Sequence, residues 1–350
     1  MIIYRFATTD DNEQLIALTS ASGMSGEVSL RIDRKPDFFR LLTMRGESKV
    51  FVAEDDHQIV GSLCVSAQKV YVGGEMVTLQ YVGDFKVAEP YRNKSVGARL
   101  CNELAEYVVS IDADLAFLNV SLGNKKPFSF FRERPGFPDF DNIGIFTIHQ
   151  FLGKRQKTSQ VSSMITSEDV SEELIEFFNR KYAGYQLGSV ITKESLTGTE
   201  ILTIRKEEKI IAAMCLADTM EAKQNIVTGL SRRMKYLLRA INICSSVAGI
   251  SKMPSLHAPV RMLYIKYLAA QSNDKDLVTD LITYARNLVY ARSYSFVSIG
   301  LHERDPLNTC ISGLFRLRFK SVGMLISLKN NRTLIDKVIR GIPFEDYSLV

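Results

Sequence analysis

The sequence predicts an α/β protein, in an α+β arrangement, whose sheet is mixed but mostly antiparallel and flanked by helices. Three observations predict it. Apolar segments of strand length alternate with capped, helically periodic ones. Short turns, Asp55-Asp56-His57-Gln58 and Gly73-Gly74, join consecutive strand segments as antiparallel neighbours. One strand then runs through a loop of small and basic residues, Arg92 to Ala98, directly into a helix.

Composition sets the outer limits. At 350 residues the chain exceeds what one core usually covers, so two domains are expected. Apolar residues make up 46% and charged residues 24%, and no run is long enough to cross a bilayer, which predicts a soluble protein. MIIYRFATTDDNEQ lacks the charged, apolar, small-residue order of a signal peptide, so a cytoplasmic location is expected. Five scattered cysteines without a C-x-x-C, and four dispersed histidines, indicate neither a disulfide framework nor a metal site. Charge is uneven: 16 basic against 20 acidic residues up to Gly153, and 28 against 19 beyond it. Part of that excess is SRRMKYLLR, which gathers Arg232, Arg233, Lys235 and Arg239 into two turns, a solvated face or a surface for an anionic partner.

The elements follow in order. IIYRF reads as a strand, and Thr9 and Asp10 cap a helix carrying Leu15, Ile16 and Leu18. KPDFFRLLTMRG predicts a second helix, with Pro36 in its first turn and Gly46 at its stop. SKVFVAED, QIVGSLCVSAQKVYV and EMVTLQYVGDFKV are sheet strands. Val96, Leu100, Leu104, Val108 and Ile111 then recur at helical spacing. LAFLNV is a buried strand, NKKPFSFFRER a short helix and NIGIFTIHQFL a last strand.

The stretch VAEPYRNKSVGARL carries the chemistry. A helix start offers unbonded amides and a partial positive charge, small residues at Gly97 and Ala98 let an anion reach the main chain, and Ser95, Arg92 and Lys94 add donors and charge. A purely structural turn is the alternative, and the P-loop pattern is absent.

With this loop in the middle, the element order resembles the Gcn5-related N-acetyltransferase (GNAT) superfamily, whose acetyl-CoA loop reads [Q/R]-x-x-G-x-[G/A]. Arg92-Asn93-Lys94-Ser95-Val96-Gly97 matches it, with Ser95 in place of the first glycine, a departure that a turn with negative φ would tolerate. NVSLGNKKPFSFFRERPGF is similar to the family's Asn-containing turn, short helix and closing Gly-Phe. The resemblance implies acetyl-CoA as co-substrate, with the backbone of Asp84, Phe85, Lys86 and Val87 along the pantetheine arm. It also implies pyrophosphate at Arg92, Asn93, Lys94, Ser95, Val96, Gly97 and Ala98, and Asn124 and Phe131 beside the arm. The family's usual helix tyrosine is missing, with Phe130 and Phe131 nearest to its place; direct attack by an amine can proceed without it or another hydroxyl such as Tyr81 can serve, and the general acid stays unassigned. Asp84, inside an apolar strand, is the candidate general base, its pKa expected to rise on burial; Glu54 and Glu89 are alternatives, and a purely structural ion pair of Asp84 is the other reading. Asp37, Phe38 and Phe39 fall where the family's substrate-side helices lie.

The second half repeats the pattern. EELIEFFNRKY, ILTIRKEEKIIAAMCLAD, RMLYIKYLAA and DLVTDLITYARNLVYAR follow the same order of elements, and Phe117/Phe296, Val120/Ile299, Leu122/Leu301 and Pro127/Pro306 match at one offset. Its strand-to-helix loop, AAQSNDKDLVTD, has no glycine and no Arg-x-x-Gly-x-Gly. The chain thus resembles tandem bacterial acetyltransferase-like proteins, with residues 1–153 an acetyl-CoA-binding GNAT domain and residues 154–350 a degenerate GNAT-like domain shaping the acceptor cleft.

What the resemblance implies is an acyl-CoA-dependent N-acyltransferase, most simply an N-acetyltransferase, acting on a primary amine of a small molecule or peptide by direct transfer. It uses no metal; membrane and nucleic-acid partners are not expected, and homo-oligomerisation stays open. The alternatives are an aminoacyl-tRNA-dependent transferase and a non-catalytic CoA-binding or interaction module.

Overall fold

The computed structural model describes residues 1–24, 28–111, 113–122, 140–156, 164–327, 329 and 331–350. In the first half, β1 (Ile3–Phe6) leads to α1 (Asn12–Ser20), β2 (Gly23–Met24), β3 (Val28–Asp33), α2 (Arg40–Arg45), β4 (Ser48–Asp55), β5 (Gln58–Val72), β6 (Glu75–Val87), α3 (Val96–Ser110), β7 (Leu115–Ser121) and β8 (Asp141–Leu152). In the second, β9 (Ile165–Glu168) precedes α4 (Glu172–Tyr182), β10 (Gly188–Ser189), α5 (Lys193–Leu196), β11 (Glu200–Lys206), β12 (Lys209–Ala217), β13 (Gln224–Leu230) and α6 (Arg232–Ala248). It closes with β14 (Met262–Ala270), α7 (Lys275–Ala291), β15 (Phe296–His302), α8 (Leu307–Cys310), β16 (Leu317–Ser327) and α9 (Arg332–Arg340).

Most expected elements are present. Helix α2 starts at Arg40 instead of at Pro36, because Asp37 Oδ1 accepts from the Phe39 amide and Asn12 Oδ1 from that of Phe38. Those side-chain bonds satisfy the backbone in a turn and so compete with a helix. Strands β2, β3 and β13 were not legible from periodicity; they form a separate sheet, β13-β3-β2, across the two halves.

The main sheet is continuous, in the order β1-β4-β5-β6-β7-β16-β8-β15-β14-β12-β11-β9, with β10 paired to β5. Its pairings are antiparallel except β6 with β7 and β14 with β15. The last strands are exchanged between the halves: β16 lies between β7 and β8, and β8 pairs onward with β15. Neither half's sheet is therefore closed by its own chain, and the backbone hydrogen bonds at the junction tie residues 141–152 to residues 296–327.

Helix and sheet meet through periodic apolar faces. Val96, Leu100, Cys101, Leu104 and Val108 of α3 pack on Phe51, Leu63 and Val65, while Leu15, Leu18, Phe38 and Leu42 cover Val50, Val52 and Cys64. Val278, Leu281, Ile282, Ala285 and Val289 of α7 do for the second half what α3 does for the first. Each buried aliphatic side chain of this kind contributes about 1.5–3 kcal/mol.

Candidate active site

Two parallel strand pairs organise the site. Strand β6 pairs with β7 only at Leu79–Leu115, Gln80–Ala116 and Tyr81–Phe117; beyond Tyr81 its hydrogen bonds go to β5 alone, leaving Val82 to Val87 with an open edge. Open edge amides and carbonyls are a template for an extended ligand.

Directly beyond that edge comes the turn from Ala88 to Ser95. Tyr91 anchors it, its hydroxyl donating to Asp55 Oδ2 at 2.9 Å, and Lys94 Nζ sits 4.8 Å from the Tyr91 ring centre. Arg92 Nε donates to the Val87 carbonyl at 3.3 Å, holding the strand end against the turn. Asn93 and Ser95 adopt left-handed backbone, φ 70° and 59°. The negative φ expected at Ser95 is therefore corrected: the turn needs the glycine conformation, and serine takes it at a cost of about 1 kcal/mol. Ser95 is the N-cap of α3 and its side chain makes no capping bond, so among the described residues the first amides of α3 have no N-cap side-chain acceptor. Arg92, Asn93, Lys94 and Ser95 are exposed, whereas Val96 and Gly97 are buried under the turn and Ala98 is half-buried.

The matching turn of the second half is built alike and closed. Ser272 and Asn273 both have φ 52°, repeating the left-handed excursion without glycine, but Asp274 Oδ1 accepts from the amides of Asp276 and Leu277 at 2.8 and 3.1 Å. A carboxylate of the chain itself already occupies the start of α7. A Cβ on Gly300 of β15 would lie 1.9 Å from Tyr347 Cδ2, so the Tyr347 ring covers the face of β15 there. The Tyr347 hydroxyl accepts from Asn119 Nδ2 at 2.6 Å and shares a 2.7 Å hydrogen bond with Ser321.

Asp84 sits where β6 bulges. Two residues, Asp84 and Phe85, stand opposite one on β5, between the pairs Cys64–Gly83 and Ser62–Lys86, and Asp84 has φ 51°. A bulge re-aims a side chain, and here it turns the Asp84 carboxylate inward. Arg34 Nη2 lies 3.3 Å and Arg45 Nη1 3.6 Å from Asp84 Oδ2. The expected rise in its pKa is corrected. Burial does push the carboxyl up, but Arg34, Arg45, Lys86 and Lys223 together pull it below the ordinary value. Phe85 and Val87 point the other way and pack against the α3 cluster.

Tyr81, buried beside Asp84, carries the Arg45 guanidinium 4.7 Å from its ring centre, and burial pushes its phenol well up. Lys223, also buried, is lowered to about 7 by burial first and by Arg45 and Arg34 next; its Nζ donates to the Val350 carbonyl. Where the halves meet, a cavity of about 230 Å³ is lined by Arg45, Ser189, Lys266, Tyr267, Glu345 and Asp346. Burial, then the charge of Asp346, holds the Glu345 carboxyl far above its usual range.

Tyr81 thus stands at the middle of β6 with Asp84 three residues on, and Arg92 and the turn to Ala98 follow the strand's end. Glu54 is engaged elsewhere, bonded to Arg5, and Glu89 is exposed on the turn. Asp37 is exposed and Phe38 buried under α1. Asn124, Phe130 and Phe131, with Pro127, lie outside the described residues. Sequence reasoning missed Arg34, Arg45, Lys223 and the segment from Phe344 to Leu349. Arg45 had a signal, following Leu41, Leu42 and Met44 in RIDRKPDFFRLLTMRG; Lys223, the C-terminal residues and Arg34, set between Asp33 and Lys35, had none.

A mostly antiparallel sheet with one diverging parallel pair, facing an uncapped helix start, defines the GNAT class of fold. Residues 3–123 match the acetyltransferase (GNAT) domain family. Solved structures agree across both halves. Saccharomyces cerevisiae N-myristoyltransferase with bound myristoyl-CoA superposes with a TM-score of 0.62 at 11% identity, covering 93% of this chain and 79% of that one. A GCN5-related N-acetyltransferase from Anabaena variabilis gives 0.54 at 11% identity, with 94% and 73% covered. A probable N-acyltransferase from Enterococcus faecalis gives 0.53 at 9%, with 94% and 73% covered. No curated protein sequence matches the chain.

Proposed function

We propose that the protein is an acyl-CoA-dependent N-acyltransferase with one acyl-CoA site, in its first half. The observation that carries this is the contrast between the two helix starts: α3 is left uncapped beside an open strand edge, while α7 is capped by Asp274. Main-chain amides of Asn93 to Ala98, with Arg92 and Lys94, would hold the pyrophosphate, and the edge of Phe85, Lys86 and Val87 would hold the pantetheine arm. The acyl group is acetyl in the simplest case; the likeness to a myristoyl-CoA-binding structure makes a longer chain the specific alternative.

The acceptor is a primary amine entering between the halves, residues 1–153 supplying the acyl-CoA site and residues 154–350 one wall of the cleft. An ammonium must lose a proton before it attacks, and the leaving thiolate must gain one. Asp84, ionised at neutral pH, receives the ammonium by charge and is a weaker proton acceptor than burial alone would make it. Tyr81 stays protonated and is the candidate donor to the thiolate.

Calorimetric titration with acetyl-CoA and with myristoyl-CoA, on the wild type and on Gly97→Glu, tests this reading. Binding of one thioester that is lost in the variant supports it, and transfer to an amine slowed in Tyr81→Phe supports the donor. Absence of binding to either thioester overturns it.

A further inference from the structure

Helix α6 lies on the surface with its apolar stripe turned outward. Only Leu238 and Ser245 along it are buried, whereas Tyr236 is 72%, Ile243 73% and Val247 94% exposed. Positions 236, 240, 243 and 247 recur on one line of an α-helix, and the buried pair falls on the opposite side. Arg232, Lys235 and Arg239 run along one flank of the stripe and Arg233 along the other, all four exposed. The helix contains no Asp or Glu, and among the described residues none of the four cations has an acidic partner.

Occupants differ in what they satisfy. The phosphates of an RNA would meet the cations and leave the apolar stripe in water. A second copy of the helix would cover the stripe and bring further unneutralised cations without an acid to face them. An anionic bilayer surface accepts both at once, since its acyl boundary takes the stripe and its headgroup phosphates meet the flanking cations.

We propose that α6 is a peripheral docking helix that seats the protein on an anionic lipid surface. It lies in the interface; no helix among the described residues is long and apolar enough to cross a membrane. This inference stands independently of the acyltransferase reading.

Flotation of the full chain with vesicles tests it, using phosphatidylcholine alone and phosphatidylcholine mixed with phosphatidylglycerol. The expected result is flotation with the mixed vesicles only, weakened by salt. Replacing all four cations (Arg232→Gln, Arg233→Gln, Lys235→Gln, Arg239→Gln) should lower partitioning by about a hundredfold or more. Ile243→Asn with Val247→Asn should lower it by about tenfold. These residues are exposed, so unchanged thermal unfolding of both variants certifies the fold. Failure to float, or flotation indifferent to both variants, overturns the proposal. So does RNA binding lost only in the charge variant, or a dimer lost only in the apolar variant, without flotation.

Discussion

Arg34 Nη2 lies 3.3 Å from Asp84 Oδ2, with the Arg34 side chain 1% exposed and that of Asp84 9%. The pair joins the segment after β3 to the bulge of β6, and Arg45 approaches the same oxygen. Removing the carboxylate leaves two buried guanidiniums without their counter-charge. Asp84→Asn should therefore cost about 3–5 kcal/mol in urea unfolding at neutral pH, with part recovered in the double variant Arg34→Met/Asp84→Asn. Because the folded-state pKa is depressed, the stabilisation is present at neutral pH and is lost as pH falls through that value, below about 4.

His149 gives a second acid-sensitive step at higher pH. Burial first, and then Arg316, lower it from 6.5 to about 4; Arg316 Nε donates to its Nδ1 at 2.9 Å, while a hydrogen bond to Asn308 opposes the shift. Between these values the unfolded chain holds a proton that the native protein refuses, so stability must decline as pH drops from 6.5 to 4. Urea midpoints across this range should flatten in His149→Gln.

Gly300 and Tyr347 share one space. Gly300→Ala places a methyl against the Tyr347 ring and should destabilise by about 1–3 kcal/mol. In a Tyr347→Ala background the same substitution should cost far less, a coupling that a double-mutant cycle reads directly. Additive costs would show that the ring does not pack on Gly300.

Ser95→Gly should stabilise the protein by about 1 kcal/mol or less, because glycine takes φ 59° without strain but loses more chain entropy on folding. The measurement is the urea midpoint; a drop would mean the hydroxyl makes a contribution that outweighs its backbone strain.

What was legible in the sequence follows its locality. Residues 87 to 98 are consecutive, so strand end, turn and helix start could be read from residue type alone, and the left-handed Ser95 escaped only because serine does not announce that conformation. Asp84 could be singled out as a charge in an apolar strand. Its partners could not, since Arg34 and Arg45 reach it through β3 and α2, and Lys223 comes from the other half of the chain.

By itself the sequence determined the α/β class, the strand-turn-helix at Arg92 to Ala98 and the loss of that motif in the second half, because periodicity, caps and turn residues act over a few neighbours. Only the tertiary structure decided that β8 and β16 are exchanged, that α7 is closed by Asp274, that Tyr347 packs on Gly300, and that Asp84 is depressed by cations. Those outcomes depend on which distant segments desolvate one another, and a buried charge takes its pKa from whatever the fold places beside it.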